Sequence, residues 1–262
     1  MKQAIRRTAG PAAVAVIAAV NSAHADTPAV DPVWRVEVEA QAFRLDRNLV
    51  QRPNNADGTR FDANDYTGKR GTGWRFSAAR PVDWWRRNGE IRFAVVPLKI
   101  QGTALAASPV RFDGATFAAG QPLDVLYQFN TYRFGYNEAV AADLSGPWSL
   151  RVGATLAIRD ARIRLRQGAT ERDFPNVGPV PLLYVAASRP VFEGMRLIAD
   201  FDAFPAPGGG GLFDGSVRLE WALTPAYGLT AGVRYQAGAA VDPTIYNSLR
   251  QTNAVVGLTS RF

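Results

Sequence analysis

Polar and apolar residues alternate with period two through most of this chain, and that period predicts strands rather than helices. In residues 34–41, Trp34, Val36, Val38 and Ala40 fall on one face, and Arg35, Glu37, Glu39 and Gln41 on the other. Comparable segments follow at 73–81, 90–101, 122–138, 148–166, 180–189, 195–204, 214–223, 229–237 and 252–262. This makes about ten strands of about ten residues, the length at which a tilted strand crosses a bilayer. Short connections (82–89, 143–147, 192–194, 224–228) alternate with longer ones (46–70, 102–121, 167–176, 205–211, 238–250). The expected fold is all-β, a single transmembrane antiparallel up-and-down β-barrel of about ten strands, with eight or twelve as alternatives.

The pattern is interrupted in places. Pro97 lies inside a strand, and Pro179 and Pro181 flank the start of another. Proline cannot donate to a strand ladder. The alternation also changes phase near Thr131 and near Asp160, which reads as bulges or as strand ends rising above the bilayer.

Charge decides which face points outward. The polar face carries Arg35, Glu37, Glu39, Arg75, Arg92, Arg151, Arg196, Asp200, Asp202, Arg218, Glu220, Arg234 and Arg261, while the apolar face is nearly free of charge. A soluble barrel turns its apolar face inward; this distribution suits lipid outside and a charged lumen. Charges in so narrow a lumen are expected to pair. A Glu220–Arg234 pair is expected across the turn at 224–228. Tryptophan and tyrosine gather at membrane interfaces. Trp34, Trp84, Trp85, Trp148 and Trp221 lie beside the first strand's start or the short turns, with Tyr227 nearby, and Trp74 falls at the opposite rim.

The first 25 residues stand apart. Lys2, Arg6 and Arg7 precede an apolar run at 11–20, and Ala23-His24-Ala25 forms an A-x-A cleavage site. This is the layout of a secretory signal peptide cleaved after Ala25, and residues 26–262 form the barrel domain. At the other end, residues 254–262 resemble the closing strand of bacterial outer-membrane proteins, in which a terminal aromatic follows alternating apolar residues. Val256, Leu258 and Phe262 carry the resemblance. It implies location in the bacterial outer membrane, short periplasmic turns and longer extracellular loops. It also implies barrel-assembly machinery and periplasmic chaperones as partners during biogenesis.

Composition narrows the chemistry. The chain has no cysteine, and its single histidine, His24, belongs to the leader. Small outer-membrane barrel enzymes, including omptin-like proteases, phospholipase, lipid A deacylases and a palmitoyl transferase, use histidine in their catalytic sets, so none of those sets carries over. Carboxylates alone remain: Asp200 and Asp202, like Glu37 and Glu39, lie two apart on one strand face, about 7 Å apart. Neutralising the lumen arginines is the plainer role. The sequence 62–65 lacks the spacing of a calcium loop and reads as an Asx turn. No metal or cofactor is expected. Basic residues number 30 against 23 acidic, three of the basic ones in the leader, too mild a surplus for a nucleic-acid partner. Arg70, Arg111, Arg164 and Arg166 are candidate contacts for lipopolysaccharide phosphates, beside ordinary outer-membrane lipid. The expected function is a non-enzymatic outer-membrane barrel, structural or narrow and pore-like. The alternative is a surface-binding barrel whose long loops contact a ligand, polysaccharide or host surface.

Overall fold

The computed structural model describes residues 34–82, 89–140, 148–206 and 210–262. The expected leader, Trp84, Trp85 and the links at 83–88 and 141–147 lie outside them. The elements are β1 (Arg35–Gln51), β2 (Phe61–Asp62), α1 (Asn64–Thr67), β3 (Arg70–Val82), β4 (Gly89–Val96), β5 (Lys99–Leu105), β6 (Val110–Phe112), β7 (Ala115–Phe117), β8 (Pro122–Val140), β9 (Ser149–Gln167), β10 (Thr170–Phe192), β11 (Met195–Ala206), β12 (Gly210–Ala222), β13 (Tyr227–Val241) and β14 (Tyr246–Arg261). Among the described residues, β1, β3, β4 and β8 to β14 pair antiparallel in that order, and β14 returns to β1. The ring is a closed ten-strand barrel. Its closing ladder runs from Arg35 opposite Arg261 to Gln51 opposite Tyr246. Trp34 and Phe262 exchange backbone hydrogen bonds of 2.7 and 3.0 Å, so both ends meet at one pole, the terminal pole.

Several strands are much longer than a bilayer crossing requires. β8 and β9 have 19 residues each and β10 has 23, against about 9–11 for a tilted crossing. The connection expected at 167–176 is therefore mostly strand, with a tight turn at Gly168, whose φ of 56° favours glycine. The link at 238–250 shrinks likewise to a turn between β13 and β14. The connections at 46–70 and 102–121 stay long, but they fold into β2, α1 and the β6–β7 hairpin.

The β8–β9 register runs unbroken from Asp124 opposite Arg166 to Val140 opposite Leu150. There is no bulge at Thr131 or Asp160, which removes the first of the two expected explanations for the change of phase. Odd-numbered residues of both strands point inward throughout. What reverses is the chemistry of the two faces. Near the terminal pole Arg133, Asn137, Arg151 and Thr155 point in, and Tyr132, Phe134, Val152 and Leu156 point out. Toward the distal pole Leu123, Val125, Tyr127, Ile163 and Leu165 are buried inside, while Arg162, Arg164 and Arg166 face out.

Two seams explain the reversal. The β3–β4 ladder stops at Phe76 opposite Val95, and the β10–β11 ladder stops at Leu183 opposite Ala203. Beyond those levels one sheet consists of β5, β8, β9 and β10, and a facing sheet of the end of β11 with β12, β13, β14, β1, β3 and β2. The distal half is thus a flattened sandwich with an apolar core, to which the second sheet contributes Phe43, Leu45, Val50, Leu212 and Leu249. The β6–β7 hairpin turns at Asp113 and Gly114, both at positive φ, the geometry of a two-residue hairpin. It sends Phe112 and Phe117, each 0% exposed, into that core, where each contributes about 1.5–3 kcal/mol of burial free energy.

Proline placement follows the seams. Pro97 ends β4, and β5 continues along β8 beyond it; the Leu98 amide donates to Asn130 Oδ1 at 3.2 Å. On β10, Pro175, Pro179 and Pro181 share one parity inside a continuous ladder to β9. Their missing N–H groups therefore face the β11 side, where β10 has no paired neighbour at that height. An exposed edge without donors resists pairing with another chain.

Candidate functional site

The terminal half encloses a belt of ionised side chains. Parity brings them together: each sits at an inward position of its strand, and the ring sets the strands face to face. Arg234, 1% exposed, donates to Asp214 Oδ1 at 3.0 Å and reaches both oxygens of Glu39 at 3.4 Å. Asp202 and Asp214 lie directly opposite each other across β11 and β12, an arrangement that repels when unbridged. Arg133 bridges them, with Nη1 at 3.1 Å from Asp202 Oδ2 and Nη2 at 2.6 Å from Asp214 Oδ2. Arg75 stands 4.0 Å from Asp214. Arg92 lies over the Tyr184 ring at 3.2 Å and approaches Asp202 at 3.4 Å.

A second group lies nearer the terminal pole. Arg218 donates to both Glu37 oxygens at 2.8 and 2.9 Å and to Asp200 at 3.1 Å, and stands 3.6 Å from Glu39. Thr230 donates to Glu37 at 2.7 Å, and Ser216 donates to Asp200. Glu220 takes Arg196 at 2.5 Å and Arg261. Arg35 meets Glu90 at 3.3 Å, and Arg151 donates to Asn137. A cavity of about 220 Å³ occupies this end of the interior, with Arg35, Arg92, Arg151, Arg196 and Glu90 in its wall.

The expected Glu220–Arg234 contact does not form. Glu220 is opposite Thr230 and Arg234 is opposite Ser216, four residues further along the ladder. Asp200 and Asp202 do share a face, but each is held by a different arginine and by its own hydroxyl donor, Ser216 and Thr155 respectively. Both line the cavity, but with their oxygens already engaged by these partners. Among the described residues no cluster of three metal-ligating side chains occurs.

No protein-family model matches this chain, and no curated protein matches it in sequence. Solved structures do. The outer membrane protease OmpT from Escherichia coli is 10% identical, with a TM-score of 0.50 over 87% of this chain and 97% of that one. The translocator domain of autotransporter NalP from Neisseria meningitidis is 11% identical, with a TM-score of 0.44 over 90% of each chain. Neisserial surface protein A is 14% identical, with a TM-score of 0.35 over 87% of this chain and 97% of that one. The fold is that of an outer-membrane β-barrel. At these identities the likeness speaks for the fold alone.

On the outside of this barrel, Trp148, Trp221 and Tyr227 project at the terminal rim, and Trp34 lies beside them under Arg80. Trp74 projects further up the wall, at the height where the seams begin. A row of exposed rings not singled out from the sequence, Phe201, Phe213 and Tyr235, runs across β11, β12 and β13 at centroid spacings of 6.2 and 6.1 Å, the first pair stacked and the second tilted. On β14, Val256 and Leu258 point outward, and Phe262, just past its end, is exposed. Sequence reasoning misses Arg133 and Asp214, the centre of the belt. The usable signal for Arg133 is its place between outward Tyr132 and Phe134. For Asp214 it is the two-residue spacing to Ser216.

Proposed function

We propose that this protein is a non-enzymatic outer-membrane barrel with no continuous pore, a structural or surface-binding barrel that holds its distal sandwich outside the membrane. The outward apolar band of the terminal half meets lipid, and the terminal pole with the chain ends faces the periplasm. The observation that carries the reading is the stack of two closed layers. The ion-paired belt around Arg234 lies under an apolar core that Phe112 and Phe117 complete without any exposed surface. An ion on the barrel axis would have to disrupt the first layer and desolvate in the second. The missing histidine and cysteine outside the leader support the non-enzymatic part.

The test is conductance of the refolded protein in planar bilayers. The expected record is silent at moderate voltage in a membrane that demonstrably holds the protein. Steady, ohmic single-channel steps would overturn the pore-free reading.

A further inference from the structure

We infer that the outer wall at β14, β1 and β3 binds the phosphate of an outer-leaflet glycolipid between Arg44 and Arg70, with an acyl chain lying against Ala42 and Ala254 below. This rests on the outer-membrane reading and adds a ligand to it.

Register sets out the site. Thr252, Arg44 and Arg70 form one cross-strand row on the outer face, and Ala254, Ala42 and Thr72 form the row beneath. The row below that holds Val256, Ala40 and Trp74. Small side chains between larger ones leave a shallow groove that reaches from Ala42 and Ala254 up to Arg44 and Arg70. A groove with an apolar floor and a cationic head has the polarity of a lipid standing in a leaflet.

The outward arginines here outnumber the carboxylates beside them, Asp46 being the one carboxylate that lines the groove. Arg44 and Arg70 are directly opposite each other, which is unfavourable for like charges with nothing between them. Arg47 and Arg250 face each other further along the β1–β14 ladder, past Leu45 opposite Gln251 and the register shift at Asp46. Among the described residues, the side chains of Arg47, Arg70 and Arg250 have no carboxylate within ion-pair distance. Arg44 has one, Asp46 at 2.8 Å, which Thr252 also engages at 2.9 Å. A phosphate between two guanidinium planes accepts from both in bidentate fashion.

Height separates this cluster from the arginines of β9. Arg44 is the next outward residue after Ala42, about 7 Å further along the strand, and so stands where the apolar band ends. Arg164 and Arg166 lie six and eight residues beyond Ile158, roughly 20–27 Å past the last apolar outward position of β9. Arg166 also has Asp124 at 3.4 Å, and Arg162 is paired with Asp173. Of the expected lipopolysaccharide contacts the geometry favours Arg70, joins Arg44 to it, and sets Arg164 and Arg166 aside.

The experiment measures retention of bisphosphorylated lipid A by the detergent-refolded full chain, using native mass spectrometry. Arg44→Gln with Arg70→Gln is expected to lower retention about tenfold or more, the scale of losing charge-assisted bidentate bonds. Arg164→Gln with Arg166→Gln should leave it unchanged. On the unaltered protein, dephosphorylated lipid A should bind as weakly as the bisphosphorylated form binds the first variant, a comparison independent of any variant's folding. Inorganic phosphate alone should not be retained, which separates a lipid site from a free-phosphate site. Equal retention of the two lipid forms, equal loss in both double variants, or tight binding of inorganic phosphate would each overturn the inference. Insertion of the unaltered protein into phosphatidylcholine vesicles, tested by resistance to a urea wash, is read separately. A chain that inserts but ignores the phosphates defeats only this inference. A chain that does not insert defeats the outer-membrane reading as well.

Discussion

The terminal and distal halves of this molecule share most of their strands, and parity carries through all the shared strands except β1, which shifts register at Asp46, yet the halves are chemical inverses. In the terminal half the wall is a complete ring, the inside holds guanidinium and carboxylate groups, and the outside is apolar. In the distal half the ring parts along two seams, the inside is apolar, and the outside carries arginine, aspartate and glutamine. The difference shows that strand geometry does not dictate which face is greasy; the surrounding solvent does. Where lipid surrounds the wall, polar groups must find partners inside it. Where water surrounds it, the usual hydrophobic burial returns.

The largest expected break in this contrast comes from Asp214→Ala. It strands Arg234 and Arg133 inside the belt, and loss of one partner of a buried ion pair costs about 3–5 kcal/mol. Urea unfolding in vesicles should show it; a shift below about 1 kcal/mol would mean that Asp214 is not what balances the belt. Next is a matched pair on the outer face of β10. Leu183→Lys places a charge in the apolar band and should cost about 2–4 kcal/mol, the range for a mid-bilayer cation. Val177→Lys, six residues away on the same face, should cost well under about 1 kcal/mol, as an exposed surface change does. Similar costs at both positions would erase the boundary between the halves. The smallest effect belongs to Glu220→Ala. Its partners Arg196 and Arg261 are partly exposed at the terminal pole, so about 1 kcal/mol is the scale. Gel migration of the unheated protein should show slight loosening, and unchanged migration would place Glu220 outside the stabilising network.

Much of the architecture is legible in the sequence because the terminal half obeys one rule. Along residues 35–41 of β1 and 213–221 of β12 the inward positions are polar and the outward ones apolar or glycine, so parity alone places Glu39 and Glu220. The same rule fails on β8 and β9. At Thr131 and Asp160 the hydrophobic phase flips while the backbone runs on, and from sequence a change of environment cannot be told from an inserted residue. The prolines of β10 mislead for a related reason. They look like strand breakers but occupy a parity whose N–H groups have no neighbour. Partners within the belt are also illegible. Glu220 and Arg234 are close along the hairpin, but the partners of Arg234 are Asp214 and Glu39, the latter brought in by closure of the ring.

That closure has a consequence in time. The ladder joining Arg35–Gln51 to Tyr246–Arg261 unites the two most distant strands of the chain, and contacts between remote segments form late and slowly. Until the last strand exists, β1 and the newest strand both offer open hydrogen-bonding rows, and Glu37 and Glu39 on β1 still lack Arg218 and Arg234. The two most vulnerable states of the growing molecule, an unpaired edge and an unneutralised interior, therefore end in the same event.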